Sequence, residues 1–420
     1  MITSQRRTAR RAACRAALSL LLALLGACSA SSRNAPGDSA TPSTSPSAPP
    51  PRTANVGTNP ENTVLDSATH TLYAISDPEN NMAGTVSVLN TSTCNALRGS
   101  GCASNLPAVP VGVGPVAIAL DQFTDTIYVV NSTSNTVSVI DGATCNAGNT
   151  SGCRRKPPAV RAGANPVDVA VNEATGTVYV ANWGNGAGTR VSVIDGRTCD
   201  ATVRSGCRKA PATIKIGKGP AGVAVDQRTD TVYAATVAPN GAEAVSVING
   251  ATCNATTTSG CRRKPPAVTV GTGSANYNVA FAIDKATGTL YVANWADNTL
   301  SMIDMAACNA TVTSGCGQKP HVAGVGKGPD GVALNAATGT LYVSDVSADT
   351  VSVLAAARCN ATVISGCGQR PARVLQTGNA PRWVTVDQAN GTVYVPNGDD
   401  GTLSVLSAAT CSATITSGCD

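Results

Sequence analysis

Cysteine is the residue whose spacing in this chain most clearly indicates chemistry. Fourteen of the sixteen cysteines form seven pairs, and the two members of each pair are always separated by seven residues. The pairs are Cys94 and Cys102, Cys145 and Cys153, Cys199 and Cys207, Cys253 and Cys261, Cys308 and Cys316, Cys359 and Cys367, and Cys411 and Cys419. An even set at fixed spacing in an exported chain predicts disulfides. Zinc sites seldom use this spacing, and no histidine accompanies the pairs, so we predict seven disulfides and no metal centre.

Histidine, the commonest general base, occurs only as His70 and His321. We predict that His70 lies in a turn and that His321 lies in an outer-strand segment (KPHVAG), in different repeats. A base or a metal site built on histidine needs partners that these two positions do not provide. The sequence therefore offers no catalytic constellation, and we expect no cofactor.

The N-terminus has the layout of an export signal. A basic stretch ends at Arg15, an apolar run covers residues 16–25, and the tetrapeptide LGAC ends at Cys28. The apolar run is too short to span a bilayer, which is typical of a cleaved signal. LGAC resembles the bacterial lipobox, in which the cysteine is acylated, so we predict a signal peptide over residues 1–27 and lipidation at Cys28. The alternative is an ordinary signal cleaved nearby, with Cys28 incidental.

Residues 28–51 are rich in Ser, Pro, Ala and Thr, a composition that predicts an extended tether without a core. The formal charge of the chain is +5, and five arginines with no acidic residue precede Cys28, so the mature chain carries 5 − 5 = 0. A neutral chain lacks the electrostatic attraction on which nucleic-acid binding depends. We expect an extracytoplasmic, lipid-anchored monomer that does not bind nucleic acid.

Seven internal repeats organise the rest of the chain. A tyrosine opens the second apolar run of each repeat, with a period of about 50 residues, at Tyr73, Tyr128, Tyr179, Tyr233, Tyr291, Tyr342 and Tyr394. The cysteine pairs recur with the same period. Each repeat except the last contains four short runs that alternate or are β-branched, in the third repeat at residues 167–171, 178–181, 191–194 and 212–216. This pattern predicts an all-β fold over residues 52–420, a seven-bladed β-propeller with four antiparallel strands per blade. A linear β-solenoid is the alternative.

Ring closure is also predicted by the sequence. A fourth-strand segment follows each cysteine pair except the last, and a matching segment, RTANVG, precedes the first repeat at residues 52–57. We predict that this N-terminal strand completes the seventh blade and removes its open edge. In the turn before each second strand, we expect positive φ at His70, Asp125, Gly176, Asp230, Gly288, Gly339 and Gly391. The Asp or Asn that ends each first strand is expected to cap this turn.

The segments YVVN, YVAN and YVPN, followed by VSVID or LSVL, resemble the YVTN-repeat β-propeller family, which includes YncE-like proteins. The resemblance covers residues 52–420. It departs at Ser76, Thr236 and Asp345, where the family pattern has Asn. The resemblance implies an exported propeller, often at the cell surface, and some members of the family are described as DNA-binding, which the neutral charge does not support.

The repeats differ most on one face, which carries the loops after the second strands and the connectors between blades. All three tryptophans fall there, as Trp183, Trp295 and the Arg382–Trp383 pair. In our alignment of the repeats, Asp168 and Asp330 occupy the position of Trp383. Aromatic residues near a channel favour a binding surface for a protein, peptide or glycan, and packing of loops between blades is the alternative.

The opposite face carries the cysteine loops and three basic runs, which fit anionic lipid or wall polymer, or else form a solvated rim. The runs are Arg154–Lys156, Arg208–Lys209 and Arg262–Lys264. As a whole, the sequence predicts a surface-tethered, non-enzymatic binding or scaffold module. The alternatives are a lyase-type or lactonase-type propeller enzyme with a cation held by carboxylates at the central pore, and a structural envelope protein.

Overall fold

The computed structural model describes residues 52–78, 81–102, 105–237, 242–272, 279–368 and 373–419. Residues 50–420 form one compact unit. The predicted signal peptide (residues 1–27), Cys28 and the tether (residues 28–51) lie outside the described residues. Within the described ranges, no helix is long and apolar enough to cross a membrane.

The described strands form seven four-stranded antiparallel sheets, one per repeat, which we number as blades one to seven. The first strands are β2 (Pro60–Asp66), β6 (Pro115–Asp121), β10 (Pro166–Asn172), β14 (Pro220–Asp226), β18 (Phe281–Asp284), β22 (Pro329–Asn335) and β26 (Thr385–Asp387). The second strands are β3 (Thr71–Ser76), β7 (Thr126–Asn131), β11 (Thr177–Asn182), β15 (Thr231–Val237), β19 (Thr289–Asn294), β23 (Thr340–Asp345) and β27 (Thr392–Asn397).

The remaining strands complete each sheet in sequence order. The third strands are β4 (Ala83–Asn90), β8 (Thr136–Asp141), β12 (Arg190–Asp195), β16 (Ala242–Asn249), β20 (Thr299–Asp304), β24 (Thr350–Ala355) and β28 (Thr402–Ser407). The fourth strands are β5 (Ala108–Val113), β9 (Ala159–Arg161), β13 (Ala212–Lys215), β17 (Ala267–Thr272), β21 (His321–Gly324), β25 (Val374–Gln376) and, in blade seven, β1 (Arg52–Asn55). Two short 3₁₀ helices cover Gly184–Gly186 and Ser259–Arg262.

The seven sheets form a closed circle. Each first strand contacts the first strand of the next blade, and β26 of blade seven contacts β2 of blade one. The first strands therefore surround the axis, and the fourth strands lie outermost. An open solenoid would leave its first and last sheets apart, so the contact between β26 and β2 confirms the predicted seven-bladed propeller.

The N-terminal strand closes the last blade as predicted. β1 pairs with β28 in antiparallel register, with Arg52 opposite Val405 and Asn55 opposite Thr402. Ala54 is 1% exposed and packs in a cluster with residues of blades one and seven. Without this pairing, β28 would present a row of unpaired backbone groups at the ring edge.

The repeated tyrosines fasten each blade to the next. Each is fully buried, and its hydroxyl donates a hydrogen bond to the carbonyl of the first cysteine in the following blade. The bonds, 2.7–3.0 Å long, run from Tyr73 to Cys145, Tyr128 to Cys199, Tyr179 to Cys253, Tyr233 to Cys308, Tyr291 to Cys359, Tyr342 to Cys411 and Tyr394 to Cys94. A buried hydroxyl needs such a partner, so the ring of tyrosines explains why this residue recurs in every repeat.

All seven predicted disulfides are present, with Cα–Cα distances of 4.8–5.0 Å. Each closes the loop that presents the carbonyl to the tyrosine of the preceding blade. So many disulfides indicate an oxidising, extracytoplasmic environment.

The hairpins between first and second strands also follow the prediction. All seven expected turn residues have positive φ, between 50° and 65°, and His70 with φ 52° is one of them. Oxygens of the seven preceding Asp or Asn side chains accept hydrogen bonds from backbone N–H groups two or three residues further on. His70 therefore has a turn role, and His321 lies in the exposed start of β21.

Candidate functional site

The propeller has two faces. The Trp-bearing face carries the loops after the second strands and the connectors that lead into the first strands. These segments lie together because Trp183 and Gly184, which follow β11, donate backbone hydrogen bonds of 3.0 Å to Asn165 and Ala164, which precede β10. The opposite face, the disulfide face, carries the hairpins between first and second strands and the disulfide loops.

Trp183 and Trp295 occupy equivalent places, directly after β11 and β19. Each packs over a glycine in the connector of a neighbouring blade. A Cβ atom added to Gly219 would lie 2.8 Å from the Trp183 ring, and one added to Gly328 would lie 3.0 Å from Trp295 Nε1. Both tryptophans are partly buried, so they seal blade junctions and expose only part of each ring.

A β-bulge follows the proline that opens the first strand. In β22, Pro329 pairs with Asp345 and Gly331 pairs with Ser344, which leaves Asp330 as the extra residue. The same irregularity occurs in β2, β6, β10 and β14. Pro381 pairs with Asn397 in the corresponding place of blade seven. A bulge redirects a side chain, and bulges are common beside functional sites.

This register corrects the sequence alignment. Asp330 corresponds to Arg382, one position before Trp383, whereas Asp168 does correspond to Trp383. The sequence alignment placed Asp330 one residue too late, since Asp330 and Arg382 each directly follow the proline of their repeat, whereas Asp168 and Trp383 stand two residues after it. Trp383 is partly buried and packs against the core of blades five and six.

The residue that follows the proline at the start of the first strand differs in character between blades. In blades two, three and four it is Val116, Val167 or Ala221, but in three consecutive blades it is charged. We call these three residues, Asp330 of blade six, Arg382 of blade seven and Glu61 of blade one, the mouth cluster. They begin the strands around the axis, so they lie where the central channel meets the Trp-bearing face.

Within the mouth cluster, the arginine stands between two carboxyl groups. Arg382 Nε lies 3.9 Å from Glu61 Oε2, and Glu61 Oε1 accepts a hydrogen bond of 3.0 Å from Asn59 Nδ2. Asp330 is 5% exposed, and its Oδ2 has no hydrogen-bond partner among the described residues. Burial raises the pKa of Asp330 to about 6, although the nearby positive charge of Arg382 lowers it.

Asp168 is engaged differently. Its Oδ1 accepts a hydrogen bond of 2.9 Å from the Val169 N–H, and its Oδ2 accepts one of 2.7 Å from the Val223 N–H of the next blade. Burial raises the pKa of Asp168 to about 7, and the two hydrogen bonds partly oppose this shift. Asp168 therefore joins two blades, and each of its oxygens already has a backbone partner.

Below the mouth, the partly exposed side chains of the first strands are apolar apart from Thr385. In the C-terminal half of each first strand, away from the mouth, the partly exposed residues are Val64, Leu65, Ala119, Leu120, Ala170, Ala224, Val225, Ile283, Ala333, Leu334, Thr385 and Val386. In the part of the chain that the structure describes, no three His, Cys, Asp or Glu side chains lie close enough to hold a metal ion. The convergence of carboxyl groups that the enzyme alternative predicts is not found among these residues.

Sequence reasoning missed two acidic residues. Glu61 could have been found by comparing the residue after the proline in the six repeats that have this proline, because only three of them have a charge there. Glu243, in β16, is 1% exposed and has no hydrogen-bond partner for either oxygen among the described residues. Burial, with a smaller contribution from Asp297, raises the pKa of Glu243 to about 8. Its burial depends on packing of neighbouring segments, for which the sequence has no local signal.

The fold defines the class of protein as a seven-bladed β-propeller with an N-terminal closing strand. Among solved structures, it is similar to Kuenenia stuttgartiensis hydrazine synthase, with 18% identity, a TM-score of 0.62 and coverage of 85% of this chain and 98% of that chain. It is also similar to the β-propeller domain of Myceliophteria thermophila Cps50 (Swd1), with 9% identity, a TM-score of 0.57 and the same coverages of 85% and 98%. At these identities the likeness is one of fold alone. No family model and no curated protein matches the sequence.

Proposed function

We propose that this chain is a non-enzymatic binding module, tethered outside a bacterial membrane, that recognises a peptide segment of a partner at the mouth cluster. The observation that carries the proposal is the replacement of an apolar residue by a charged one at the same bulge in three consecutive blades. A role in the scaffold would repeat in every blade, as the tyrosines and the turn caps do. A change confined to one sector supports recognition.

The charges of the cluster indicate what the peptide brings. Two carboxyl groups and one guanidinium leave an excess of negative charge, and Asp330 Oδ2 lacks a donor. A buried polar atom without a partner costs free energy, and a ligand donor that enters the mouth and displaces the groups covering this oxygen would recover it. A lysine, an arginine or an N-terminal amine fits this need, and the partly exposed ring of Trp383 offers adjacent apolar surface.

The test is selection of a random peptide display library on immobilised residues 50–420. We expect enrichment of peptides with a basic residue, and a loss of affinity of about tenfold or more for the selected peptides in D330N, as expected for a charge-assisted hydrogen bond. The matched control is D399N, because Asp399 is an exposed carboxylate on the same face of blade seven. Peptides without a basic residue, or equal effects of the two variants, would contradict the proposal.

Tethering is the second part of the proposal. The predicted lipobox at Cys28 supports acylation, and the seven disulfides agree with export. Membership of the YVTN-repeat family stays a proposal that rests on the recurring YVxN segments. Labelling of the full chain with a radioactive fatty acid should be lost in C28S, and retained label would contradict acylation at this position.

A further inference from the structure

The disulfide face carries a row of exposed apolar side chains at the tips of its loops. In five of the blades, the residues between the two cysteines include an exposed Leu, Val or Ile. These are Leu97, Val203, Val312, Val363, Ile364 and Ile415, which are 40–78% exposed. Phe123, in a hairpin of the same face, is 88% exposed. Because a disulfide closes each loop, these side chains are held outward on short, constrained segments.

The same face carries a basic arc, which we define as the eight basic residues that directly follow the second cysteine in blades two, three and four. All are exposed, and none forms an ion pair with a carboxyl group among the described residues. They are Arg154, Arg155, Lys156, Arg208, Lys209, Arg262, Arg263 and Lys264. The segments that lead into the outermost strands of these three blades therefore carry only positive charge.

The chain enters the propeller at this face. β28 runs from the Trp-bearing face to the disulfide face, and Arg52 pairs with Val405 toward its far end. Arg52 Nη1 also donates a hydrogen bond of 2.8 Å to the carbonyl of Asn95, which lies in the first disulfide loop. Arg52, where the described part of the chain begins, therefore lies beside the first disulfide loop.

We propose that the disulfide face rests on an anionic lipid bilayer, while the Trp-bearing face points away from it. Exposed apolar tips enter the boundary between headgroups and acyl chains, and the basic arc pairs with anionic headgroups. Each basic residue near such a surface strengthens binding about fivefold at low salt. A soluble polyanion would explain the basic arc but not the apolar tips, and therefore a bilayer is the favoured occupant. This surface is separate from the mouth cluster and does not depend on it.

The test is cosedimentation of residues 50–420 with vesicles. This fragment contains every described strand and all seven disulfides in one compact unit, and we expect it to fold without the preceding segment. We expect sedimentation with vesicles of phosphatidylcholine and phosphatidylglycerol at low salt, release at high salt, and little binding to phosphatidylcholine alone. No sedimentation with the anionic vesicles would overturn the proposal.

The first variant tests the contribution of the basic arc. R262Q/R263Q/K264Q should lower the partition coefficient by about tenfold or more. Its matched control, R190Q/K218Q/K327Q, removes three exposed charges from the Trp-bearing face and should bind as the parent does. Equal losses in both variants would overturn the assignment of the face.

The apolar variant V363S/I364S separates a bilayer from a soluble polyanion. It should weaken binding to anionic vesicles severalfold, because two exposed apolar side chains are lost, but leave binding to soluble polyphosphate unchanged. Vesicle binding that is as strong as in the parent would overturn the proposal in favour of a polyanion site. Retention of the seven disulfides and of the parent melting temperature shows that each variant is folded.

Discussion

Replacement of Asp345 by asparagine should stabilise the propeller in a way that depends on pH. Asp345 ends β23 and is 0% exposed, at a place where four other blades have asparagine. Its Oδ2 accepts hydrogen bonds from the hydroxyls of Ser352, at 2.6 Å, and Thr350, at 3.2 Å. Despite these bonds, burial raises the pKa of Asp345 from 3.8 to about 7.

The direction and size of the effect follow from this shift. Since the folded pKa lies above the unfolded one, the folded state binds the proton more tightly, and stability falls as pH rises from about 4 to 7. At about 1.4 kcal/mol per unit of pKa, the loss above pH 7 is at most about 4 kcal/mol. Asparagine does not titrate. We therefore expect D345N to be about as stable as the parent at pH 4 and more stable by about 2–4 kcal/mol at pH 8.

Asparagine also fits the site. In blade five, Asn294 Nδ2 donates hydrogen bonds of 2.9 and 3.0 Å to Thr299 and Ser301, the counterparts of Thr350 and Ser352. The new amide can donate to the same hydroxyls, and it removes a buried negative charge whose Oδ1 has no hydrogen-bond partner among the described residues. The converse variant, N294D, is the matched control and should lose stability at pH 8 by a similar amount.

The assay is guanidinium chloride unfolding of the disulfide-bonded protein at several pH values, with the midpoint and slope followed for the parent, D345N and N294D. Both proteins contain the other buried acids, so the difference in unfolding free energy between D345N and the parent reports on Asp345 alone. A stability difference that does not change with pH would refute the reasoning. So would a D345N protein that is less stable than the parent at pH 8.

Three further predictions concern the ring. Tyr394→Phe removes the hydrogen bond between blades seven and one and should cost about 1–2 kcal/mol of unfolding free energy; an unchanged denaturation midpoint would show that the bond contributes nothing. Deletion of residues 52–57 exposes the edge of β28 and should cause self-association by light scattering, so a monomeric deletion variant would contradict the closing role. The double variant C253S/C261S should cost about 2–3 kcal/mol, and equal melting temperatures of parent and variant would refute this.

The periodic features of the fold could be predicted from the sequence. Every blade makes the same contact with the next blade through one tyrosine and one cysteine loop. The residues of this contact therefore recur seven times in the sequence and can be recognised there. Residues 52–57 could be assigned because the last repeat lacks a fourth strand. The disulfides could be predicted from the even number and fixed spacing of the cysteines together with the export signal, since each disulfide closes a loop within one repeat.

The mouth cluster was predicted only in part. Arg382 and Asp330 were singled out, but Glu61 was missed and Asp330 was misaligned by one residue. Both errors could have been avoided, because the proline before the bulge gives the alignment directly: Glu61, Asp330 and Arg382 each follow it. The three residues are also far apart in sequence. Their proximity exists only because β26 contacts β2 and β22 on either side.

Among the described residues, four carboxyl groups have a pKa that burial raises to about 6 or more: Asp168, Asp330, Asp345 and Glu243. Asp168 has a partner for each carboxyl oxygen, since both accept hydrogen bonds from backbone N–H groups. Asp345 is satisfied at one oxygen only, because Oδ2 accepts hydrogen bonds from two hydroxyls and Oδ1 has no partner among the described residues. Scaffold residues are normally satisfied as Asp168 is, because an unpartnered buried oxygen destabilises the fold.

Asp330 is not satisfied in this way, since its Oδ2 has no donor even though Arg382 is close enough to lower its pKa. If Asp330 served only the scaffold, the valine or alanine found at this bulge in blades two to four would serve better. D330N, or replacement by valine, should therefore leave the propeller at least as stable as the parent at neutral pH while it weakens peptide binding. Loss of stability in both variants would show instead that Asp330 holds the ring together.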